Sequence, residues 1–306
     1  MNGIIIIDKP AGITSARVVS IVKKALNAKK VGHAGTLDPF AEGVLICCVN
    51  QATKLADFLL HGTKTYIAEL KLGEDTDTQD LTGTVVSRTE PENYTAETIQ
   101  TVFKGFEGSQ EQLPPVYSAL KHNGIPLYKL ARNGQPVQKP ARPVEIYRIT
   151  ILAIALPLIR FEVSCSAGTY IRTLGADIGK MLGCGGHLNA LKRTASSGFN
   201  LDQAVSLSAL EDLTPGNRLP EKFINMANVL PEMPSYTADR HLAKKIRFGQ
   251  TLTTRDLTGT EGVKIDCISG SNIKVVDQTG ELVAILNYQE QEQRLTYRCV
   301  FPKEDA

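Results

Sequence analysis

The chain of 306 residues lacks three features that would place it in a class at once. It has no Cys-x-x-Cys pair: the six cysteines stand at 47, 48, 165, 184, 267 and 299, and the neighbours at 47 and 48 would point to opposite faces of a strand. Neither a disulfide framework nor a zinc site is supported by that spacing. It has no apolar run of membrane-spanning length, and Ile4-Ile5-Ile6-Ile7 is too short for the apolar region of a signal peptide and lacks a cleavage pattern. A cytoplasmic protein without membrane association is therefore expected. It has almost no excess of one charge, because 34 Lys and Arg against 32 Asp and Glu leave +2, so attraction to an acidic partner must come from local patches. Hydrophobic residues at 42% and charged residues at 22% are ordinary for a globular chain, long enough here for one large domain or two.

What is present is organised around Gly32-His33-Ala34-Gly35-Thr36-Leu37-Asp38-Pro39, followed by Phe40-Ala41-Glu42-Gly43 and the apolar run Val44 to Val49. Two glycines and a proline within eight residues argue for a tightly shaped loop, and Pro39 biases Asp38 away from helical backbone. Two readings are open: Asp38 caps a short helix beginning at Pro39, or a turn presents its carboxylate to a ligand.

The surrounding pattern mixes strands and helices. Ile4 to Ile7 reads as a buried strand ended by Asp8-Lys9-Pro10-Ala11-Gly12, and Val18, Ile21, Val22, Ala25 and Leu26 recur at helical spacing behind the caps Thr14 and Ser15. A second strand covers Val44 to Val49, and a helix is expected over Ala52 to Leu60. In Lys64 to Leu72, Tyr66, Ala68, Leu70 and Leu72 alternate with polar residues as in a half-buried strand. The acidic stretch Glu74 to Asp80 fails as a calcium loop, since Asp80 and Val86 stand where Gly and Glu would be needed. It reads as a loop before a strand near Thr84 to Ser87, with Asp80 an anion for a pocket arginine. A helix follows over Thr95 to Phe106.

Between 121 and 148 six basic residues (Lys121, Lys129, Arg132, Lys139, Arg142, Arg148) face one acid, Glu145, with Tyr117, Tyr128 and Tyr147 interleaved. Cations for phosphates and aromatic faces for stacking are the ingredients of RNA contact. Arg160 to Cys165 alternates like a strand, and Ser166 to Gly179 turns into a helix that carries Arg172 near its start. A guanidinium fork there can hold a carboxylate in two parallel hydrogen bonds, and Asp38 is the candidate. Prolines at 215, 220, 231 and 234 mark a connector, after which short strands are expected at Leu252, Val263 to Ile268, Ile273 to Val276 and Leu282 to Leu286, with a turn at Thr279-Gly280.

Four pieces in order, Lys9-Pro10, Gly35 to Pro39, Tyr66 in Tyr-x-Ala, and Tyr170-Ile171-Arg172, resemble the motifs of the TruB family of bacterial tRNA pseudouridine synthases, and the resemblance covers nearly the whole chain. It implies an α+β fold with a mixed, mainly antiparallel sheet flanked by helices over residues 1–234, including an RNA-gripping insertion at about 112–148. A small β-rich module similar to the PUA domain is implied over 235–306. It implies that Asp38 is the catalytic residue, that Arg172 steadies it, and that Tyr66 packs on the target base and takes a proton. On the same resemblance Lys9 would lie beneath the loop, Tyr170 would line the pocket and Leu191 would pack on the flipped nucleotide; His33, five residues from Asp38 in the same loop, is the candidate to fill the gap the flipped base leaves. Lys121, Lys129 and Arg132 would grip the tRNA stem-loop. The implied activity is isomerisation of the T-loop uridine at position 55, without a cofactor, a metal or an obligatory protein partner, by a monomer. The other classes considered are a non-catalytic RNA chaperone and an RNA-guided relative. A glycosidase would need a second carboxylate, which none of the motifs offers.

Overall fold

The computed structural model describes residues 1–211, 221–257, 271–289 and 294–303. The chain forms two compact units, Ile5–Cys47 with Leu55–Lys222, and Met1–Ile4 with Cys48–Lys54 and Phe223–Ala306.

The chain begins with β1 (Gly3–Lys9), α1 (Ser15–Ala25), β2 (Val31–Ala34) and β3 (Glu42–Val49), then α2 (Ala56–Leu60) and β4 (Lys64–Leu72). A hairpin, β5 (Glu74–Thr76) and β6 (Val85–Arg88), precedes α3 (Ala96–Lys104) and β7 (Gly108–Gln112). A smaller hairpin, β8 (Lys121–His122) and β9 (Ile125–Pro126), leads into α4 (Leu127–Arg132) and the long strand β10 (Arg142–Ala155). The rest is β11 (Leu158–Cys165), α5 (Ile171–Met181), β12 (Gly186–Ser196), β13 (Phe199–Asn200), β14 (Val205–Ser206) and α6 (Leu207–Glu211). The main sheet runs β14-β1-β3-β12-β4-β11-β10-β7. The pairs β14–β1 and β3–β12 are parallel, and the run from β12 to β7 is antiparallel throughout, the expected mixed sheet.

Each element follows from its residues. Ile4 to Ile7 are all fully buried, as a strand covered on both faces requires. In β4 the set Tyr66, Ala68, Leu70, Leu72 is buried and its alternates are half-exposed. Thr14 caps α1 by accepting from Arg17 N–H, and Thr95 caps α3 by accepting from Thr98 N–H. Phe103 on α3 meets Phe161 on β11 edge to face at 5.2 Å, and burial of two such rings contributes about 1.5–3 kcal/mol each.

Two expectations need adjustment. The helix expected over Ala52 to Leu60 opens as a 3-10 turn at Asn50–Leu55 before α2, and Asn50 itself stands at φ 52°, outside helical backbone. The basic stretch 121–148 also divides: Arg142 and Arg148 belong to β10 in the main sheet, while Lys121, Lys129 and Arg132 sit exposed on β8 and α4.

The smaller unit carries β15 (Ile224–Asn225), β16 (Ser235–Ala238), α7 (Arg240–Arg247), β17 (Leu252–Thr253), β18 (Asn272–Asp277), β19 (Leu282–Gln289) and β20 (Arg294–Val300). Its five-stranded sheet runs β16-β18-β19-β20-β17, and Leu242, Ala243 and Ile246 of α7 join Val275, Ala284 and Leu286 in one apolar core. The expected turn at Thr279-Gly280 forms, with Gly280 at φ 80° and its N–H donating to Asp277 O. The strand expected over Val263 to Ile268 and the prolines at 215 and 220 lie outside the described residues.

Candidate active site

Residues 35–41 form an irregular loop between β2 and β3, with no helix after Pro39, so Asp38 is not a helix cap. The loop is tied from below on several sides. Lys9, fully buried at the end of β1, donates from Nζ to Pro39 O (3.2 Å) and Ala41 O (2.6 Å) as well as to Pro10 O (2.8 Å). Burial lowers the Lys9 ammonium to about 8, against the pull of the Asp38 and Glu42 carboxylates. Ser15, the first residue of α1, both donates to Leu37 O and accepts from Leu37 N–H, each at 2.9 Å. Gly12 N–H donates to Pro39 O at 2.8 Å. Leu37 and Ala41 plug into the core while the Asp38 side chain stays 34% exposed.

Asp38 faces Arg172, which lies in the first turn of α5 and is 3% exposed. The guanidinium donates from Nε to Asp38 Oδ2 at 2.8 Å and from Nη2 to Asp38 Oδ1 at 3.4 Å, the fork that the residue types led us to expect. Its remaining donors reach Thr78 O (2.6 Å) and Tyr117 O (2.8 Å), and Asp80 Oδ2 lies 3.5 Å from Nη1. Asp80 is itself buried and held by Thr78 Oγ1, Thr82 Oγ1 and Thr82 N–H. Two carboxylates and two carbonyls thus surround one buried cation, which fixes it in a single geometry.

Tyr66 is buried on β4, and its phenol is within the field of Asp38. Burial raises the phenol above its ordinary range, while the adjoining Arg193 guanidinium pulls it down. Tyr170 opens α5, and the buried Gln112 clamps its backbone twice: Gln112 Nε2 donates to Tyr170 O (3.0 Å) and Tyr170 N–H donates to Gln112 Oε1 (2.8 Å). The Arg142 guanidinium sits 4.9 Å from the Tyr170 ring. His33 falls on β2 rather than in the loop proper; its Nδ1 is buried without a hydrogen-bond partner among the described residues. Burial and the Arg193 charge lower its pKa, which keeps the ring neutral at pH 7. Leu191 on β12, 7% exposed, joins Pro39, Phe40, Ile67, Leu81 and Asn189 in lining a groove of about 730 Å³ beside the loop. Lys121, Lys129 and Arg132 stand apart, on the segment that starts at Tyr117, whose carbonyl Arg172 holds; Arg132 lies 5.7 Å from the Tyr128 ring.

Two residues escaped sequence reasoning. Gln112 gave no signal. Arg193 had one: it stands two residues from Leu191 on a strand, so it shares Leu191's inward face, and an inward arginine demands partners. It is 1% exposed and donates to Val44 O (2.8 Å), Gly35 O (3.0 Å) and, at 3.5 Å, Thr36 O.

An acid held by a fork, a nearby phenol and a groove large enough for a nucleotide are the parts that the resemblance to the pseudouridylate synthases calls for. The family model described as "TruB family pseudouridylate synthase (N terminal domain)" matches residues 23–171, and "tRNA pseudouridylate synthase B C-terminal domain" matches 172–230. The protein named tRNA pseudouridine synthase B of Syntrophotalea carbinolica is 43% identical over 92% of this chain and 90% of its own length. That of Bordetella avium is 46% identical over 76% of this chain and 94% of its own. A chain in the crystal structure of a Cbf5-Nop10-Gar1 complex matches with a TM-score of 0.74 at 27% identity, over 98% of this chain and 85% of that one. The chain belongs to the TruB family, whose members isomerise uridine to pseudouridine.

Proposed function

We propose that this protein converts the T-loop uridine of tRNA, position 55, to pseudouridine, working on naked tRNA in the cytoplasm as a monomer. The reaction breaks the bond from the sugar C1′ to N1 of uracil, turns the ring, joins C1′ to C5, and moves the C5 proton away while N1 gains one. It is an isomerisation, so electrons balance without a redox partner. What the site must supply is an anion at the reacting centre and an acceptor for the C5 proton. Asp38 is the anion, and Tyr66 is the acceptor. Leu191 packs on the flipped nucleotide, and the neutral ring of His33 fills the place it vacates, offsetting an unstacking cost of a few kcal/mol. Lys121, Lys129 and Arg132 hold the stem through its phosphates, and a PUA-like module from residue 235 adds RNA contact.

The observation that carries this reading is the Asp38–Arg172 pair. A carboxylate locked at 2.8 Å by a buried guanidinium, yet one-third open to solvent, is oriented for a ligand rather than for packing. The test is incubation of an unmodified tRNA transcript with the protein alone, followed by site mapping of pseudouridine. Product at position 55, lost when that uridine is replaced by cytidine, is the expected result. Product elsewhere, or product only after a guide RNA or protein is added, contradicts the proposal.

A further inference from the structure

Arg193 is the one fully buried guanidinium among the described residues that has no carboxylate in ion-pair range there. Three carbonyl oxygens, one to each nitrogen, accept from it but do not neutralise it. Stranding a charge in low dielectric is costly, so a residue kept in that state needs a reason beyond packing. Its position supplies one. In the register of β12 against β4, Arg193 stands directly opposite Tyr66, on the same face of the sheet. In the register of β12 against β3 it stands opposite Gly43. The approach there is so close that a Cβ on Gly43 would lie 2.2 Å from Arg193 O, and Gly43 has φ 100°. Through Gly35 O and Thr36 O the guanidinium also grips the loop that carries Asp38. One side chain therefore fastens the anion's loop and lies against the phenol.

We propose that Arg193 is a positioning residue for the reaction: its guanidinium sets the Asp38 loop and Tyr66 in one register and provides the positive charge that lets the Tyr66 oxygen accept the C5 proton. This rests on Tyr66 being the proton acceptor. In the step concerned the C5–H bond breaks, its electron pair restores the ring double bond, and the proton passes to the phenolate oxygen, which later returns it to solvent. N1, now free of the sugar, takes its proton from water. A buried phenol resists ionising because the charged form loses its hydration, and a guanidinium alongside offsets that loss. The direction of the Arg193 effect on Tyr66 agrees, and Asp38, of opposite sign, acts against it. The other charged or titratable groups around the pair are Lys9 and Glu42 beside the loop, His33 on β2, Lys64 on β4 and Cys165 on β11. None of them is altered chemically when Arg193 alone is changed.

The test is single-turnover pseudouridine formation on a T stem-loop from pH 6 to 9.5. It compares the wild type with Arg193→Lys, Arg193→Gln and Tyr66→Phe, and with each Arg193 form carrying 3,5-difluorotyrosine, a more acidic phenol, at position 66. Arg193→Gln is expected to lose on the order of 10²–10³ in rate with tRNA affinity kept within a few-fold, and its rising pH limb to move to higher pH. Difluorotyrosine should recover at least about tenfold of that loss, since it restores acidity without restoring the cation. Arg193→Lys should show the same displacement, smaller, which decides the matter should Arg193→Gln fail to fold. Undisplaced limbs in the Arg193 variants, with no gain from difluorotyrosine, would overturn the proposal and leave Arg193 a structural anchor. A fully active Tyr66→Phe would overturn instead the assignment of Tyr66 on which it rests.

Discussion

Replacing Arg172 by methionine removes the charge and all five N–H donors while keeping a side chain long enough to fill the space. Four acceptors lose their partner. Asp38, 34% exposed, can be rehydrated, but Asp80 at 6% cannot, nor can Thr78 O and Tyr117 O without opening the segments that bear them. Breaking a buried pair by removing one member costs about 3–5 kcal/mol, and hydration of Asp38 places this case at the lower end, about 3 kcal/mol. At about 2–4 °C per kcal/mol for a unit of this size, the melting temperature should fall by about 6–12 °C. Activity should fall further than stability, because the carboxylate loses its orientation as well as its partner. A rate loss on the order of 10³ is expected at a temperature where the variant is still folded. Circular-dichroism melting and nucleoside analysis of a treated T stem-loop read the two effects separately. A variant that melts within about 1 °C of the wild type would mean that the four acceptors had found partners the structure does not offer, and that Arg172 does not hold them.

Three further changes probe other parts of the account. Changing Lys121, Lys129 and Arg132 together to alanine should weaken tRNA binding and reduce the slope of log affinity against log salt by about 2–3, and an unchanged slope would remove α4 and its hairpin from the interface. Gly43→Ala should destabilise by about 2 kcal/mol or more, because the added Cβ meets β12 backbone at 2.2 Å, and a neutral result in urea unfolding would mean the two strands can part there without cost. Lys64, buried and donating to Leu60 O and Gly62 O, is lowered from 10.5 to about 8 by burial, with Arg193 adding to it. Between those values the unfolded chain binds a proton that the native one does not, so the native state gains as pH rises from about 8 to about 10.5. Lys64→Met should flatten this rise in urea unfolding free energy, and equal slopes in the two proteins would show that Lys64 is not the source.

How much of this could be read beforehand depended on whether a signal was local. The Ile4 to Ile7 run and the alternation in β4 announced their burial because a strand's period of two is written in consecutive residues. The Asp38–Arg172 pair was anticipated from side-chain types and motif order across 134 residues of chain, and the fold closes that span to 2.8 Å. Asp80, suggested by its acidic loop as an anion for an arginine, lies 3.5 Å from Nη1 of Arg172. Read locally, the Asp-Pro cue at Asp38-Pro39 favoured a helix cap, and tertiary anchoring by Lys9, Ser15 and Arg193 decided against it. Gln112 and Arg193 act through backbone groups distant in sequence, so their partners have no residue type to betray them. The basic stretch 121–148 looked continuous because charge counting ignores register; β10 takes Arg142 and Arg148 into the main sheet.

Asp38→Asn separates chemistry from binding, because it deletes one charge at the proposed reacting centre with almost no change in volume. Incubated with unmodified tRNA and assayed by nucleoside analysis alongside a binding titration, this variant should yield no pseudouridine while its tRNA affinity stays within a few-fold of the wild type. Pseudouridine at the wild-type rate, or a loss of binding that accompanies the loss of product, would contradict the account.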